Sequence, residues 1–201
     1  MRSVFAFLTV LALAIGPTLA AQADTPADAP ADAPATSTAK TRQARLDKLF
    51  SDLGRERNEK AAERIAGTIW QAWLDSGSAN INLMMLWAQK AMEAQKFDVA
   101  LDFLDQVTTL DPTYAEGWNR RATVHYMMKN YAKSLADIER TLQLEPRHFG
   151  ALSGMARIMA DTGHKQAALD AWQRVLAIYP MMRSAQSEVS TLSEELAGEG
   201  I

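Results

Sequence analysis

Three histidines, His125, His148 and His164, are the side chains here best suited to titrate near neutral pH or to hold a metal. A metal site needs them, or partner carboxylates, on adjacent turns of a helix or converging in a loop. Their spacing allows neither, so they read as satisfied or exposed histidines. Gly150-Ala151-Leu152-Ser153-Gly154 comes near the nucleophile elbow G-x-S-x-G, but its serine falls one place late and on an expected helix. Ten methionines, with the pairs Met127-Met128 and Met181-Met182, would suit a soft metal; at helical spacing they fill cores and grooves instead. There is no cysteine, which excludes disulfides, thiol chemistry and a lipid-anchored lipoprotein. No glycine-rich phosphate loop occurs. The expectation is a protein without enzymatic activity, cofactor or metal.

The elements that position the remaining candidates begin beyond the first twenty-odd residues. Met1-Arg2-Ser3, the apolar stretch Val4 to Ile15, the break at Gly16-Pro17 and the small-x-small site Ala21-Gln22-Ala23 form an export leader. Its apolar stretch falls short of the roughly 20 residues a spanning helix needs. The leader, 1–23, predicts export to the periplasm or secretion beyond it, with cleavage after Ala23. Residues 24–41, with Pro26, Pro30 and Pro34 among Ala, Asp and Thr, read as a semi-extended tether. The formal net charge is −3, which together with export argues against a nucleic-acid partner.

Helical patterning starts near Arg42. Leu46, Leu49, Phe50 and Leu53 share one helix face, and Ala62, Ile65, Ala66, Ile69, Trp70 and Trp73 share another. From Ile81 a fixed period takes over. Pro112, Pro146 and Pro180 stand 34 residues apart, and each closes the same pattern of large and small side chains. The first repeat reads Met84, Trp87-Ala88, Ala91, Ala100, Leu104. The second reads Trp118, Arg121-Ala122, His125, Ser134, Ile138, and the third Leu152, Met155-Ala156, Met159, Ala168, Trp172.

Residues 81–182 thereby resemble the tetratricopeptide-repeat (TPR) family as three repeats, 81–114, 115–148 and 149–182. The resemblance implies an all-α, right-handed TPR solenoid of antiparallel helix pairs. Ala88, Ala122 and Ala156, with Ala100, Ser134 and Ala168, are small where paired helices must cross closely. Each closing proline stops one helix and forces the turn into the next repeat. Residues 42–80 align as a degenerate N-terminal unit capping the stack, with Ser78 where a closing proline would stand. Residues 183–201 form a polar-faced helix and tail capping the other end.

In this family the first helix of each pair lines a concave groove that binds peptides or partner helices. The resemblance places Met85, Gln89 and Met92 there from the first repeat. It adds Asn119, Arg120, Thr123, Tyr126 and Met127 from the second, and Ser153, Arg157 and Ala160 from the third. Two arginines, an aromatic ring, amides and flexible methionines suit an amphipathic segment with an acidic element. The lysine and asparagine clamp with which cytosolic co-chaperones of the family hold a C-terminal carboxylate is absent; Met85, Gln89, Arg120, Gly150 and Gly154 occupy its positions. Arg121 and His125 depart from the family, standing where Leu and Tyr normally pack. Three roles are open to them: a buried network with Glu116, Asp137 or Glu139, a snorkelling surface arginine, or binding. The segment Glu116 to Ala122 resembles exported bacterial members of the family.

Two functions follow as expectations. One is a periplasmic adaptor that docks a protein or peptide partner, a segment of an envelope protein, in its groove. The other is a low-specificity holdase chaperone or carrier for apolar segments. A third role, a structural subunit that self-associates through an imperfect cap, leaves the oligomeric state open.

Overall fold

A computed structural model describes the backbone of residues 33–199 and the side chains of residues 40–198. The expected export leader, 1–23, and residues 24–32 of the expected tether lie outside the described residues. Among the described residues there are nine helices: α1 (Ala33–Arg55), α2 (Glu59–Leu74), α3 (Ala79–Glu93), α4 (Phe97–Leu110), α5 (Ala115–Met127), α6 (Tyr131–Leu144), α7 (Phe149–Asp161), α8 (Lys165–Ile178) and α9 (Arg183–Glu199). None of them is long and apolar enough to cross a membrane. The expected extended tether to residue 41 is corrected at its end, because α1 already begins at Ala33. Pro34 then stands in the first turn, where a helix has no use for its missing N–H.

Helices α3–α4, α5–α6 and α7–α8 are antiparallel pairs stacked side by side, the all-α repeat solenoid that the 34-residue period predicts. The small residues sit where the pairs cross: Ala88, Ala100, Ser134, Ala156 and Ala168 are fully buried and Ala122 almost so. The Ser134 hydroxyl also donates to the Ala122 carbonyl at 2.8 Å, a bond an alanine could not make. The turn inside each pair needs a left-handed residue, supplied by Gly163 (φ 79°) in the third repeat. Gln95 (φ 56°) and Lys129 (φ 58°) supply it in the first two, against the steric preference of a side chain with a Cβ.

α9 closes the C-terminal end, with Ala185 and Leu192 buried in the core that also holds Trp172 and Val175. The α1–α2 hairpin is also a terminal element, but it does not stack on the outer face of α3–α4, where the repeat alignment puts it. It folds back across α5, α7 and α8. Phe50, Leu53, Ile69 and Trp73 share one core with Phe149, Leu152, Trp172 and Tyr179. Bonds remote in sequence hold it there. Arg147 joins Asp47 at 2.8 Å and Arg183 joins Glu59 at 2.9 Å, while the Tyr114 hydroxyl donates to the Leu74 carbonyl at 3.1 Å. The two tryptophans of α2 pack there on His148, Phe149 and Gly150 at the start of α7.

Candidate binding cleft

The first helices of the pairs, α3, α5 and α7, line one face of the stack. At the head of α5 that face is built on a buried carboxylate. Glu116, 1% exposed, accepts from Arg120 Nη2 at 2.9 Å and from Asn119 Nδ2 at 2.9 Å. Its other neighbour is His148, fully buried, whose Nε2 lies 3.2 Å from Glu116 Oε2. His148 is the N-cap of α7, and its Nδ1 accepts the Ala151 N–H at 3.1 Å. An accepting Nδ1 fixes the tautomer, so Nε2 carries the proton and donates to Glu116. Burial alone would raise the Glu116 carboxyl; the His148 bond, with Arg120 beside it, outweighs burial and holds it below its ordinary value.

Over this cluster lies α2. The Trp73 ring stacks on His148 with centroids 4.0 Å apart and planes 9° apart. Trp70 meets Phe149 edge-on at 5.5 Å. Gly150 makes that approach possible, since a Cβ there would stand 2.6 Å from the Trp70 ring. Trp70 thus fills the space over Gly150 and walls one end of a cleft of about 300 Å³ between α5 and α7. Ala122, Ile138, Ala151 and Gly154 give the cleft an apolar lining, while Asn119, Thr123, Tyr126, Ser153, Arg157 and Met182 complete it.

The predicted groove residues divide on this geometry. Asn119, Thr123, Tyr126 and Arg157 come together at the cleft. Met85 and Met92 are buried in the core between α3, α4 and α5, so they pack helices and are not open surface as expected. Arg120 is half-buried and engaged by Glu116 and by the Gln89 side chain, which itself donates to Glu93. Met127 is exposed, and Arg157 is exposed at the cleft rim. Tyr126 donates its hydroxyl to Asp161 at 3.0 Å, and burial followed by that bond raises its phenol. Ser153 is buried and donates its hydroxyl to the Phe149 carbonyl at 2.7 Å. Ala160 is half-buried. Repeat position does not point to Trp70, Ile138, Phe149 or Met182 as lining; Trp70 shares a helix face with Trp73 and gives no sign in the sequence of crossing to the third repeat.

Arg121 belongs to a structural network. Its guanidinium makes a two-pronged contact with Asp137 at 2.8 and 2.7 Å, reaches Asp105 at 2.8 Å, and lies 4.7 Å over the Trp118 ring. Of the three carboxylates named from the sequence, Asp137 is the partner; Glu116 serves Arg120 and His148, and Glu139 is exposed. His125 is buried with its Nδ1 unpaired, and burial lowers its pKa. Among the described residues no group of three or more His, Cys, Asp or Glu side chains could hold a metal ion.

An array of antiparallel helix pairs with a lined cleft between two of their first helices is the architecture of a helical-repeat scaffold. The tetratricopeptide repeat profile matches residues 115–148. A TPR repeat-containing protein of Rhizobium etli is 56% identical over 154 residues, covering 77% of this chain and 76% of that protein. The chain belongs to the tetratricopeptide-repeat family. Two solved structures share the fold. The first TPR of Spaghetti (RPAP3), bound to an HSP90 peptide SRMEEVD, superimposes with a TM-score of 0.57 at 22% identity, over 60% of this chain and 95% of that one. The Sgt2 TPR domain from Aspergillus fumigatus gives 0.57 at 14% identity, over 61% and 83%.

Proposed function

We propose that this protein is a chaperone-type binding protein that captures a short apolar segment of a client protein in the cleft between α5 and α7. The observation that carries this is the cleft's chemistry: an apolar lining walled by Trp70, with Arg157 as the exposed cation at its rim. Arg120, the other arginine of the groove face, is engaged by Glu116 and Gln89 and has little left to offer a ligand. The RPAP3 domain of similar fold holds the HSP90 peptide SRMEEVD, and a TPR2B domain of yeast Sti1 is in complex with a pHsp70. These support a peptide in the groove. The acidic end of such a peptide has no clamp here, since Gly150 and Gly154 stand at two of its positions and Trp70 covers the first. A segment recognised by apolar side chains fits better. From the leader we place this activity in the periplasm, among exported proteins that are still incompletely folded.

The adaptor function is the second reading, carried by Arg157 at the rim. There the client would present an acidic residue beside its apolar ones, on one particular envelope protein. Fluorescence anisotropy of two labelled peptides, one Leu/Phe-rich and one with an added acidic pair, separates them. Thr123→Trp fills the cleft from an exposed position and should abolish binding of both. Under the chaperone reading Arg157→Glu and added salt leave the affinity unchanged; under the adaptor reading both weaken the acidic peptide alone. Equal binding by Thr123→Trp and the parent would remove the cleft from either account.

A further inference from the structure

Among the described residues six large apolar side chains are more than two-fifths exposed, and five of them lie on the α3–α4 hairpin: Leu83, Leu86, Trp87, Val99 and Leu110. They are not scattered. Leu83, Trp87 and Lys90 recur at helical spacing along α3, as do Val99, Phe103, Gln106 and Leu110 along α4. The two rows meet where Trp87 and Phe103 touch, ring centroids 5.4 Å apart, beside a shallow cavity of about 350 Å³ lined also by Lys90, Ala91 and Val99. This is the face on which a preceding repeat would stack, and the α1–α2 hairpin that could have covered it packs elsewhere. A contiguous exposed apolar patch on one end of a repeat array marks an interface.

We propose that this face pairs with the same face of a second copy of the chain, about a two-fold axis parallel to the helices. The pattern is self-complementary in that arrangement. α3 of one copy then lies antiparallel on α4 of the other, at the height at which α3 and α4 already meet within one chain. Trp87 falls on the second copy's Phe103, and Lys90 falls at the height of its Asp102. Lys90 and Asp102 are both exposed and neither enters an ion pair among the described residues, so each is open to the second copy. Helices of 15 and 14 residues present a face of roughly 22 Å by 20 Å. That is on the order of half the area per partner of a standard interface, which makes the dimer reversible and concentration-dependent.

Sedimentation of the chain over a concentration series tests this, with helicity recorded for each variant. A monomer–dimer equilibrium is expected. Trp87→Glu should weaken it by about 30-fold or more, the scale of losing an interface hot spot. Lys90→Glu should weaken it several-fold, and adding Asp102→Lys to that variant should restore it. Met127→Glu, the exposed apolar residue away from this face, should leave it unchanged. A monomer at every soluble concentration overturns the proposal, and so does a dimer indifferent to Trp87→Glu or not rescued by the charge swap. None of these outcomes depends on the cleft, because Thr123 and Arg157 lie on the opposite side of α5.

Discussion

The two ends of the solenoid are finished differently. At the C-terminal end α9 lies on α8, Trp172 is 1% exposed beneath the neighbouring layers, and Lys165 on α8 reaches Glu195 on α9 at 3.0 Å. At the N-terminal end Trp87 is 43% exposed and Leu110 66%. Yet the chain has a helical hairpin ahead of α3 with an apolar face to bury. It travels past the open end and covers the third repeat instead. The difference shows that a terminal element goes to its best partners and not to its nearest neighbour in sequence. Each buried tryptophan withdraws roughly 150–250 Å² from water, about 4–6 kcal/mol at the usual apolar coefficient and an upper bound in a real chain. Trp73, buried against His148, collects that gain, and the half-buried Trp70 over Gly150 a part of it.

The contrast can be broken at its strongest point. Trp73→Ala should cost about 3–5 kcal/mol in urea unfolding. It should also expose the loop before α2 to protease while the three repeats stay helical; a loss below about 1 kcal/mol would deny that the hairpin is anchored there. The joint between the open and covered ends is Arg121. Arg121→Met strands Asp137 and should cost about 3 kcal/mol, with faster hydrogen exchange in α3 and α4, and Arg121→Met/Asp137→Leu should recover most of it. Gly150→Ala drives a methyl into Trp70 and should cost about 1–3 kcal/mol. In a Trp70→Ala background the same change should cost much less, and additivity of the two would disprove the contact.

Acid sharpens the comparison on the covered side. The Glu116 carboxyl is held lower in the folded chain than in the unfolded one. Its contribution is therefore complete above the unfolded carboxylate value and is lost as pH falls through the folded one. Glu116→Gln should be less stable at neutral pH but should flatten the stability profile across that acid range; an unchanged slope would assign the acid sensitivity elsewhere. The smallest effect belongs to the turns. Gln95→Gly and Lys129→Gly relieve a left-handed backbone and should each gain up to about 1 kcal/mol in thermal unfolding, less the flexibility glycine adds to the unfolded chain.

Much of the fold was legible because a 34-residue period and the small residues at Ala88, Ala122 and Ala156 report contacts local in sequence. The hairpin was not. Periodicity says that Trp70 and Trp73 have a face to bury, but the alignment of Phe50 and Trp70 with the repeat pattern pointed to the nearest repeat. Ser78 in place of a closing proline and a glycine at residue 150 were the visible departures, and neither names the other as partner. At the cleft, Asn119, Thr123, Tyr126 and Arg157 followed from repeat position alone. Met85, Met92 and Arg120 did not behave as groove surface, because a side chain's repeat position does not fix what the next helix brings against it. Here that neighbour was the α5 core for the methionines and Glu116 for the arginine.

A linear array can begin folding at either end and grow by one neighbour at a time. The bridge from Arg147 back to Asp47 spans a sequence separation of 100 residues and changes that order. α1 and α2 precede the repeats in the chain, yet the surface that receives Trp73 does not exist until α7 has folded. The first two helices must wait, with their apolar faces uncovered, for the third repeat to arrive. Their docking then ties α1 and α2 to the third repeat, so that this repeat cannot fray without releasing them.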